Sequence, residues 1–144
     1  MTGVVHSMNI RIYYEDTDHG GVVYYANYLK FMERARTEFL RAGGIDQQQV
    51  EQEYGLLFAV TEAHLRYHHP ARFNDLIRVE SRVAHYSGAQ VLFDQRVVHA
   101  QHNRLLVSAK IRLASISREG KVRRMPQHLR AFFRHHLCPA KELP

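Results

Sequence analysis

The strongest hydrophobic pattern in the chain is a helical stripe that begins near residue 28. Apolar side chains recur at spacings of three and four residues, at Tyr28, Phe31, Met32, Ala35 and Phe39. This spacing places them on one face of an α-helix, with polar and charged residues on the other face. Gly43-Gly44 follows the stripe and is typical of a helix C-terminus. The pattern therefore predicts one long amphipathic helix that needs a surface to cover its apolar face.

Alternation with a period of two dominates the rest of the chain. Residues 9–14 predict a first strand before the helix, with Ile10 and Ile12 on one face. After the helix, a polar and helical connection covers residues 46–54. Alternation then returns in four segments that are separated by turn residues, 61–68, 76–86, 90–100 and 105–117. A last short strand is expected after the turn at 118–121, and Pro126 suits the start of a closing helix.

These elements predict an α+β fold. A single broad apolar stripe can be buried by one antiparallel sheet. A curved antiparallel sheet of five to six strands wrapped around one long central helix is the hot-dog fold, and it is the candidate architecture. Such a sheet leaves its edges exposed, so dimerisation from edge to edge is a natural solution. At 144 residues, we expect the whole chain, 1–144, to form a single domain.

Composition narrows the cellular setting and the class of partner. No apolar run approaches the roughly 20 residues of a membrane span, and the N-terminus lacks a secretory pattern. With Cys138 as the only cysteine, we expect a cytoplasmic protein in a reducing compartment. The net charge of +6 favours an anionic partner, which could be nucleic acid, a membrane surface or a phosphate-bearing small molecule. The same charge permits peripheral association with the cytoplasmic side of the inner membrane.

The segment EDTDHGGVVYYANY, residues 15–28, places three carboxylates and a glycine pair immediately before the helix. Either these residues simply build a turn, or they direct a catalytic carboxylate at the helix N-terminus. The longer run YYEDTDHGGVVYYANYLKFMERAR closely resembles the signature of the YbgC-type acyl-CoA thioesterases, which are relatives of 4-hydroxybenzoyl-CoA thioesterase. The resemblance continues into LRYHHPARFNDLIRV, residues 65–79, and covers roughly residues 8–135.

The resemblance implies a hot-dog fold and hydrolysis of the thioester of an acyl-CoA. It implies no metal and no cofactor beyond the CoA of the substrate, and dimers or dimers of dimers with active sites between subunits. It places the catalytic carboxylate, as nucleophile or general base, on Asp18. It places a carbonyl-polarising backbone N–H on Tyr25, which stands where YbgC-type members commonly have His. Gly21 and Val23 of the same motif are candidate substrate contacts. Tyr14 is either a half-buried aromatic residue of the strand or, because it lies four residues before Asp18, a pocket contact, and it is a candidate catalytic residue.

The chemistry of thioester cleavage is consistent with these residue types. A helix N-terminus offers unpaired N–H groups and about half a positive charge for the developing oxyanion. The leaving thiol has a pKa near about 8.5, so it departs without a strong general acid. Asp16 is interpreted as a turn-stabilising residue. Asn27 is a natural N-cap, which would start the helix at Tyr28, whereas the resemblance favours an earlier start with Asn27 in the first turn.

The basic residues supply candidate contacts for the phosphates of CoA. Arg66, Arg82 and Lys110 lie around the predicted hairpins, and some of these contacts are expected to come from a partner chain. Among the eleven histidines, His68 and His69 would point to opposite faces of a strand, which argues against a metal site with His64.

Two other functions are weighed against thioester hydrolysis. A hot-dog hydratase or dehydratase would need a histidine near the helix start, where only His19 is available. A basic module for nucleic acid would need aromatic residues interleaved with basic ones on a sheet face. The strands instead alternate arginine with aliphatic residues and contain Glu62 and Glu80. We therefore expect no nucleic-acid partner.

Overall fold

The chain folds into a five-stranded antiparallel sheet packed against one long helix, in a computed structural model that describes residues 5–138. The strands are β1 (His6–Arg11), β2 (Leu56–Tyr67), β3 (Leu76–Tyr86), β4 (Gln90–His99) and β5 (Leu105–Ser117). The helices are α1 (Asn27–Ala42), α2 (Gln47–Tyr54) and α3 (Gln127–His135). The strand order is β1-β3-β4-β5-β2, and every neighbouring pair is antiparallel. The predicted α+β class is confirmed.

The apolar stripe of α1 is buried as predicted. All five of its predicted members are buried, and they join a core built from the sheet and from α3. The helix ends where the glycine pair predicts, because Gly44 adopts a positive φ of 84° that glycine tolerates. This turn lets the N–H of Ile45 bond to the carbonyl of Leu40 at 2.9 Å, which closes the last turn of the helix.

The two faces of the sheet differ in chemistry. Ile77, Val79 and Val83 of β3 are fully buried on the face that meets α1. Arg78, Glu80 and Arg82 alternate with them on the opposite face and remain half-buried. Strand β4 repeats this alternation, so the outer face of the sheet is a charged surface.

The first strand lies three residues earlier than predicted. It ends at Arg11, and a single 3-10 turn covers Tyr14–Asp16. A local hydrogen bond outweighs the strand propensity of the two tyrosines, because the carboxylate of Asp16 accepts the N–H of Tyr13 at 2.8 Å. Ile12 is nevertheless fully buried, as its place on the apolar face predicts.

Two predicted strands also differ from the observed ones. Strand β2 begins at Leu56, before the predicted residue 61, and a bulge between Val60 and Glu62 interrupts its alternation. The bulge shifts the side chains by one position, which hides the first half of the strand from a period-two pattern. The predicted last strand is reduced to one isolated bridge between Ile116 and Val122.

Strand β2 forms one edge of the sheet. It is twelve residues long, and among the described strands only β5 pairs with it. Val60 on this strand is 52% exposed, although it is aliphatic. Within residues 5–138, no helix is both long and apolar enough to cross a membrane.

Candidate active site

Asp18 lies in a tight turn that its own side chain helps to form. The N–H of Gly20 donates to Asp18 Oδ1 at 2.8 Å, and the N–H of Gly21 donates to the Asp18 carbonyl at 3.0 Å. Gly21 has a positive φ of 80°. A Cβ on Gly20 would come within 3.3 Å of Asp18 Oδ1, so a side chain there would crowd the carboxylate. The glycine pair therefore allows the turn to hold an exposed carboxylate in a fixed place.

The start of α1 presents free donors next to this turn. The first helical N–H groups bond in the tighter i→i+3 manner, from Asn27 to the Tyr24 carbonyl at 2.8 Å and from Tyr28 to the Tyr25 carbonyl at 3.4 Å. The N–H groups of Tyr25 and Ala26 have no acceptor among residues 5–138. They lie at the positive end of the helix dipole, where an oxyanion is favoured.

The side chain of Asn27 does not cap the helix. The helix begins at Asn27, and Ala26 occupies the N-cap position. This confirms the earlier start that the resemblance favours, and the interpretation of Asn27 as N-cap is wrong. Its side-chain amide instead donates to the carbonyl of Asp16, at 2.9 Å.

Asp16 joins the Asp18 turn to the helix start. Its carbonyl also accepts the N–H of Tyr24 at 3.0 Å, and its carboxylate holds Tyr13. The interpretation of Asp16 as a turn-stabilising residue is therefore confirmed. Interaction with the Tyr25 phenol raises the pKa of Tyr24, and the negative charge of Asp18 adds to the rise. The charge of Asp18 therefore has a small effect on the phenol of Tyr24, directly before the helix start.

A cleft of about 230 Å³ opens beside the start of α1. It is lined by Val23, Tyr25, Tyr28, Tyr67, His68, His69 and Pro70. The hydroxyl of Tyr67 donates to the carbonyl of Tyr25 at 3.3 Å, which ties the end of β2 to the helix start. Burial raises the pKa of Tyr67, and the neighbouring Tyr25 adds to the rise. The cleft therefore has largely aromatic walls and includes Tyr25, whereas Asp18 is not among its lining residues.

The structure brings together some of the predicted site residues and separates others. Val23 lines the cleft, and Gly21 lies at the exposed apex of the Asp18 turn. Tyr14 is 80% exposed and packs edge-on against Phe73 at a ring distance of 5.9 Å. It does not line the cleft of this chain.

The two consecutive histidines do not lie on opposite faces of a strand, as the predicted strand 61–68 would require. His68 and His69 both line the cleft, because β2 ends at Tyr67 and they are no longer on opposite faces of a strand. Their place directly before Pro70 was the available signal, since proline often follows the end of a regular element. His68 Nε2 also bonds to Ser108 Oγ at 2.9 Å. Within the described part of the chain, no three potential ligands are grouped to hold a metal ion.

The predicted basic contacts lie on the outer face of the sheet. A groove of about 320 Å³ there is lined by Arg66 and Lys110 together with His64, His68, Asp94, Arg96, Leu105, Ser108 and Ala109. The ammonium group of Lys110 pairs with Asp94 at 3.2 Å. Arg82 lies opposite Asp94 on the next strand but does not line the groove. Because His68 lines both the groove and the cleft, the two spaces adjoin.

Comparison with known proteins places this architecture in a family. Residues 13–133 match the thioesterase-like superfamily. The chain belongs to the thioesterase-like superfamily. It is 41% identical to the acyl-CoA thioesterase YbgC of Haemophilus influenzae, over 91% of this chain and 95% of that protein. It is 38% identical to the acyl-CoA thioester hydrolase YbgC of Escherichia coli, over 87% of this chain and 92% of the relative.

Solved structures of this superfamily share the fold. A probable thioesterase from Bartonella henselae superposes with a TM-score of 0.81 at 36% identity, covering 85% of this chain and all of the other. The predicted family, the hot-dog fold and the thioesterase class of enzyme are confirmed. The roles of Asp18, Tyr25 and Tyr14, and of the basic residues, stay predictions.

Proposed function

We propose that this chain hydrolyses acyl-CoA thioesters to the free acid and CoA, in the cytoplasm. The observation that carries the proposal is that the segment with Asp18 is bonded, through the carbonyl of Asp16, to the helix start, where the N–H groups of Tyr25 and Ala26 have no acceptor among residues 5–138. The YbgC relatives are named for this activity and match nearly the whole chain.

The reaction uses the two free donors and one carboxylate. The N–H groups of Tyr25 and Ala26 donate to the thioester oxygen and stabilise the charge that develops on it. Asp18 either attacks the carbonyl carbon, forming an acyl-enzyme that water then opens, or removes a proton from the attacking water. In both routes the carbon–sulfur bond breaks, and CoA leaves as a thiolate that takes up a proton from solvent. The scheme needs no cofactor beyond the CoA of the substrate.

The cleft and the groove divide the substrate between them. The thioester and its acyl group occupy the cleft, whose walls are largely aromatic. The phosphate end of CoA lies in the groove, where Arg66, Arg96 and Lys110 provide three positive charges and Asp94 provides one negative charge. Arg66 and Lys110 are the proposed contacts there, and Arg82 is a more distant one on the same face. His68 lies at the junction, which the pantetheine arm would cross.

The free edge of β2 supports assembly into homodimers or dimers of dimers. On its outer side this twelve-residue edge strand has no strand partner within residues 5–138, so its backbone groups there are available for pairing, and Val60 adds an exposed apolar contact. A second copy paired on this edge would lie next to the aromatic cleft, since Tyr67 belongs to both. The active site is therefore proposed to lie between subunits.

Thiol release tests the proposed function. The purified chain is screened against short, long and aromatic acyl-CoAs, and free CoA is measured with a thiol reagent. Asp18→Asn should lower kcat by orders of magnitude in a folded protein, because the amide can neither attack nor accept a proton. Glu15→Gln is the matched control, since Glu15 is an exposed carboxylate in the same loop. Parental turnover by Asp18→Asn would contradict the assignment.

The histidines of the cleft keep a hydratase as the second candidate. His68 and His69 provide imidazoles near the helix start that the sequence did not place there. A hydratase would change an enoyl-CoA without releasing thiol, whereas the proposed hydrolase releases one thiol for each acid formed. Product analysis with a saturated and an unsaturated acyl-CoA separates the two reactions.

A further inference from the structure

The side chain of Asn27 links the long helix to the turn that carries Asp18. Its amide reaches back eleven residues and donates to the carbonyl of Asp16 at 2.9 Å, in a half-buried setting. Among residues 5–138, this is the one side-chain hydrogen bond between α1 and residues 13–22. The side chain of an asparagine at the first position of a helix does not need this partner to form the helix. The bond is therefore more important for the position of the loop than for the helix.

We propose that Asn27 is a positioning residue that sets the distance between the Asp18 carboxylate and the free N–H groups before α1. The inference rests on the proposed function and names a residue through which that site is held in place. Asn27 contacts neither reacting group. It acts through Asp16, which is two residues from Asp18 and whose carbonyl it holds.

The remaining contacts explain why the bond controls position more than folding. The Asp16 carbonyl also accepts the N–H of Tyr24 at 3.0 Å, so it keeps one partner when the amide of Asn27 is removed. The turn itself is closed by the N–H of Asp18, which donates to the Val22 carbonyl at 2.8 Å, and by a bridge between Thr17 and Val23. Loss of the Asn27 amide therefore leaves the turn formed and frees it to shift along the helix start.

A small shift is sufficient to reduce turnover. The Asp18 carboxylate must be next to the acyl carbon while the N–H groups bind the thioester oxygen. A misplacement of about 1 Å can lower the rate on the order of a hundredfold. The N–H of Gly20 holds the Asp18 carboxylate within its own turn, so the place of the carboxylate relative to the helix depends on where that turn lies. The turn and the helix must therefore be held relative to one another by bonds such as that of Asn27.

A double-mutant experiment tests the role. Asn27→Ala should lower kcat for a hydrolysed acyl-CoA by about ten- to a hundredfold, with KM changed by less than about threefold. In an Asp18→Asn background, Asn27→Ala should not lower the residual rate further, because there is no carboxylate left to position. The urea midpoint should fall by the same small amount in both backgrounds.

The control is another side-chain hydrogen bond on the same helix. The hydroxyl of Thr37 donates to Glu33 at 2.8 Å, far from the Asp18 turn. Thr37→Ala should leave kcat at the parental value.

Each contrary result identifies what is wrong. An unchanged kcat in Asn27→Ala, a change confined to KM, or equal losses with and without Asp18 would overturn the positioning role and leave the proposed function intact. Parental turnover by Asp18→Asn would overturn both. A folded chain that releases no thiol from any acyl-CoA would do the same.

Discussion

The hydrogen bond between the buried guanidinium of Arg36 and the side chain of Gln95 predicts that substitutions of these two residues differ in their effect on stability. Arg36 is only 7% exposed, and its Nη1 donates to Gln95 Oε1 at 3.0 Å. Gln95 is fully buried and donates in turn to the Met32 carbonyl at 3.0 Å and to Ser81 Oγ at 2.9 Å. No carboxylate among the described residues lies within 4.0 Å of Arg36. The charge is therefore held by a neutral amide.

The magnitudes follow from the cost of burying this charge. Burial lowers the pKa of Arg36 to about 10, against a smaller opposing effect of Glu33. Since one pKa unit corresponds to about 1.4 kcal/mol, burial disfavours the charged form by roughly 3 kcal/mol. Arg36→Met removes that cost but leaves Gln95 Oε1 unpaired, which costs about 1–3 kcal/mol. We therefore expect Arg36→Met to leave the free energy of unfolding unchanged or to raise it by up to about 2 kcal/mol.

Gln95→Leu should be far more harmful. It removes the one acceptor that the guanidinium has among residues 5–138 and leaves the charge without compensation, which typically costs about 3–5 kcal/mol. The two variants delete the same hydrogen bond, so a model that counts only contacts predicts similar losses. A difference of at least about 3 kcal/mol between them is the signature of an uncompensated buried charge.

Urea unfolding followed by circular dichroism measures both changes. The folded state releases the Arg36 proton before the unfolded state does, as pH rises past about 10, so the cost is present at all lower pH. The difference between Arg36→Met and the parent should therefore be the same at about pH 6 and about pH 8. If Arg36→Met destabilises the chain as much as Gln95→Leu does, the reasoning is wrong and Arg36 contributes mainly by packing.

Three further predictions concern the site and the assembly. Tyr25→Phe should lower kcat only modestly, whereas Tyr25→Pro, which removes the N–H donor, should lower it severely; equal losses in two folded variants would assign the chemistry to the phenol. KM for an acyl-CoA should rise with salt, while KM for the matching acyl-pantetheine should stay flat, because exposed charges are screened beyond about 8 Å at physiological ionic strength. An equal salt response of KM for the two substrates would show that the groove does not bind the phosphates of CoA. Val60→Lys should raise the dimer Kd by at least about tenfold in sedimentation, and Val5→Lys, directly before the other edge strand β1, should not; equal effects would argue against the β2 edge.

Hydrophobic periodicity predicted correctly the helices and strands that have one face buried along their whole length. The α1 stripe and the alternation of β3 could be read directly, because a uniformly apolar face must be buried. Errors arose where a local feature breaks the period. The bulge near Val60 concealed half of β2, and the side chain of Asp16 turned Tyr13 and Tyr14 away from β1.

The candidate site was predictable only where its parts are adjacent in sequence. Asp18 and Tyr25 lie seven residues apart in one motif, and the structure keeps them at one turn and one helix start. Pro70 indicates that β2 ends near it, but the contribution of Tyr67 and His69 to the cleft also depends on how the end of β2 packs beside α1, which no local pattern specifies. Asn27 shows the same limit, since its residue type indicates a cap and its actual partner is eleven positions away.

The burial of Arg36, in contrast, is indicated by its position in the sequence. It follows Met32 by four residues and precedes Phe39 by three, which places it at the border of the apolar stripe. A charged residue at such a border either extends to solvent or requires a buried partner. The choice depends on the strand facing it, and here β4 presents an amide, Gln95, in an otherwise apolar row. Arg36 and Gln95 are each unexpected in an apolar row of their own element. Packing of the helix on the sheet places them within hydrogen-bonding distance, so each provides the buried partner that the other needs.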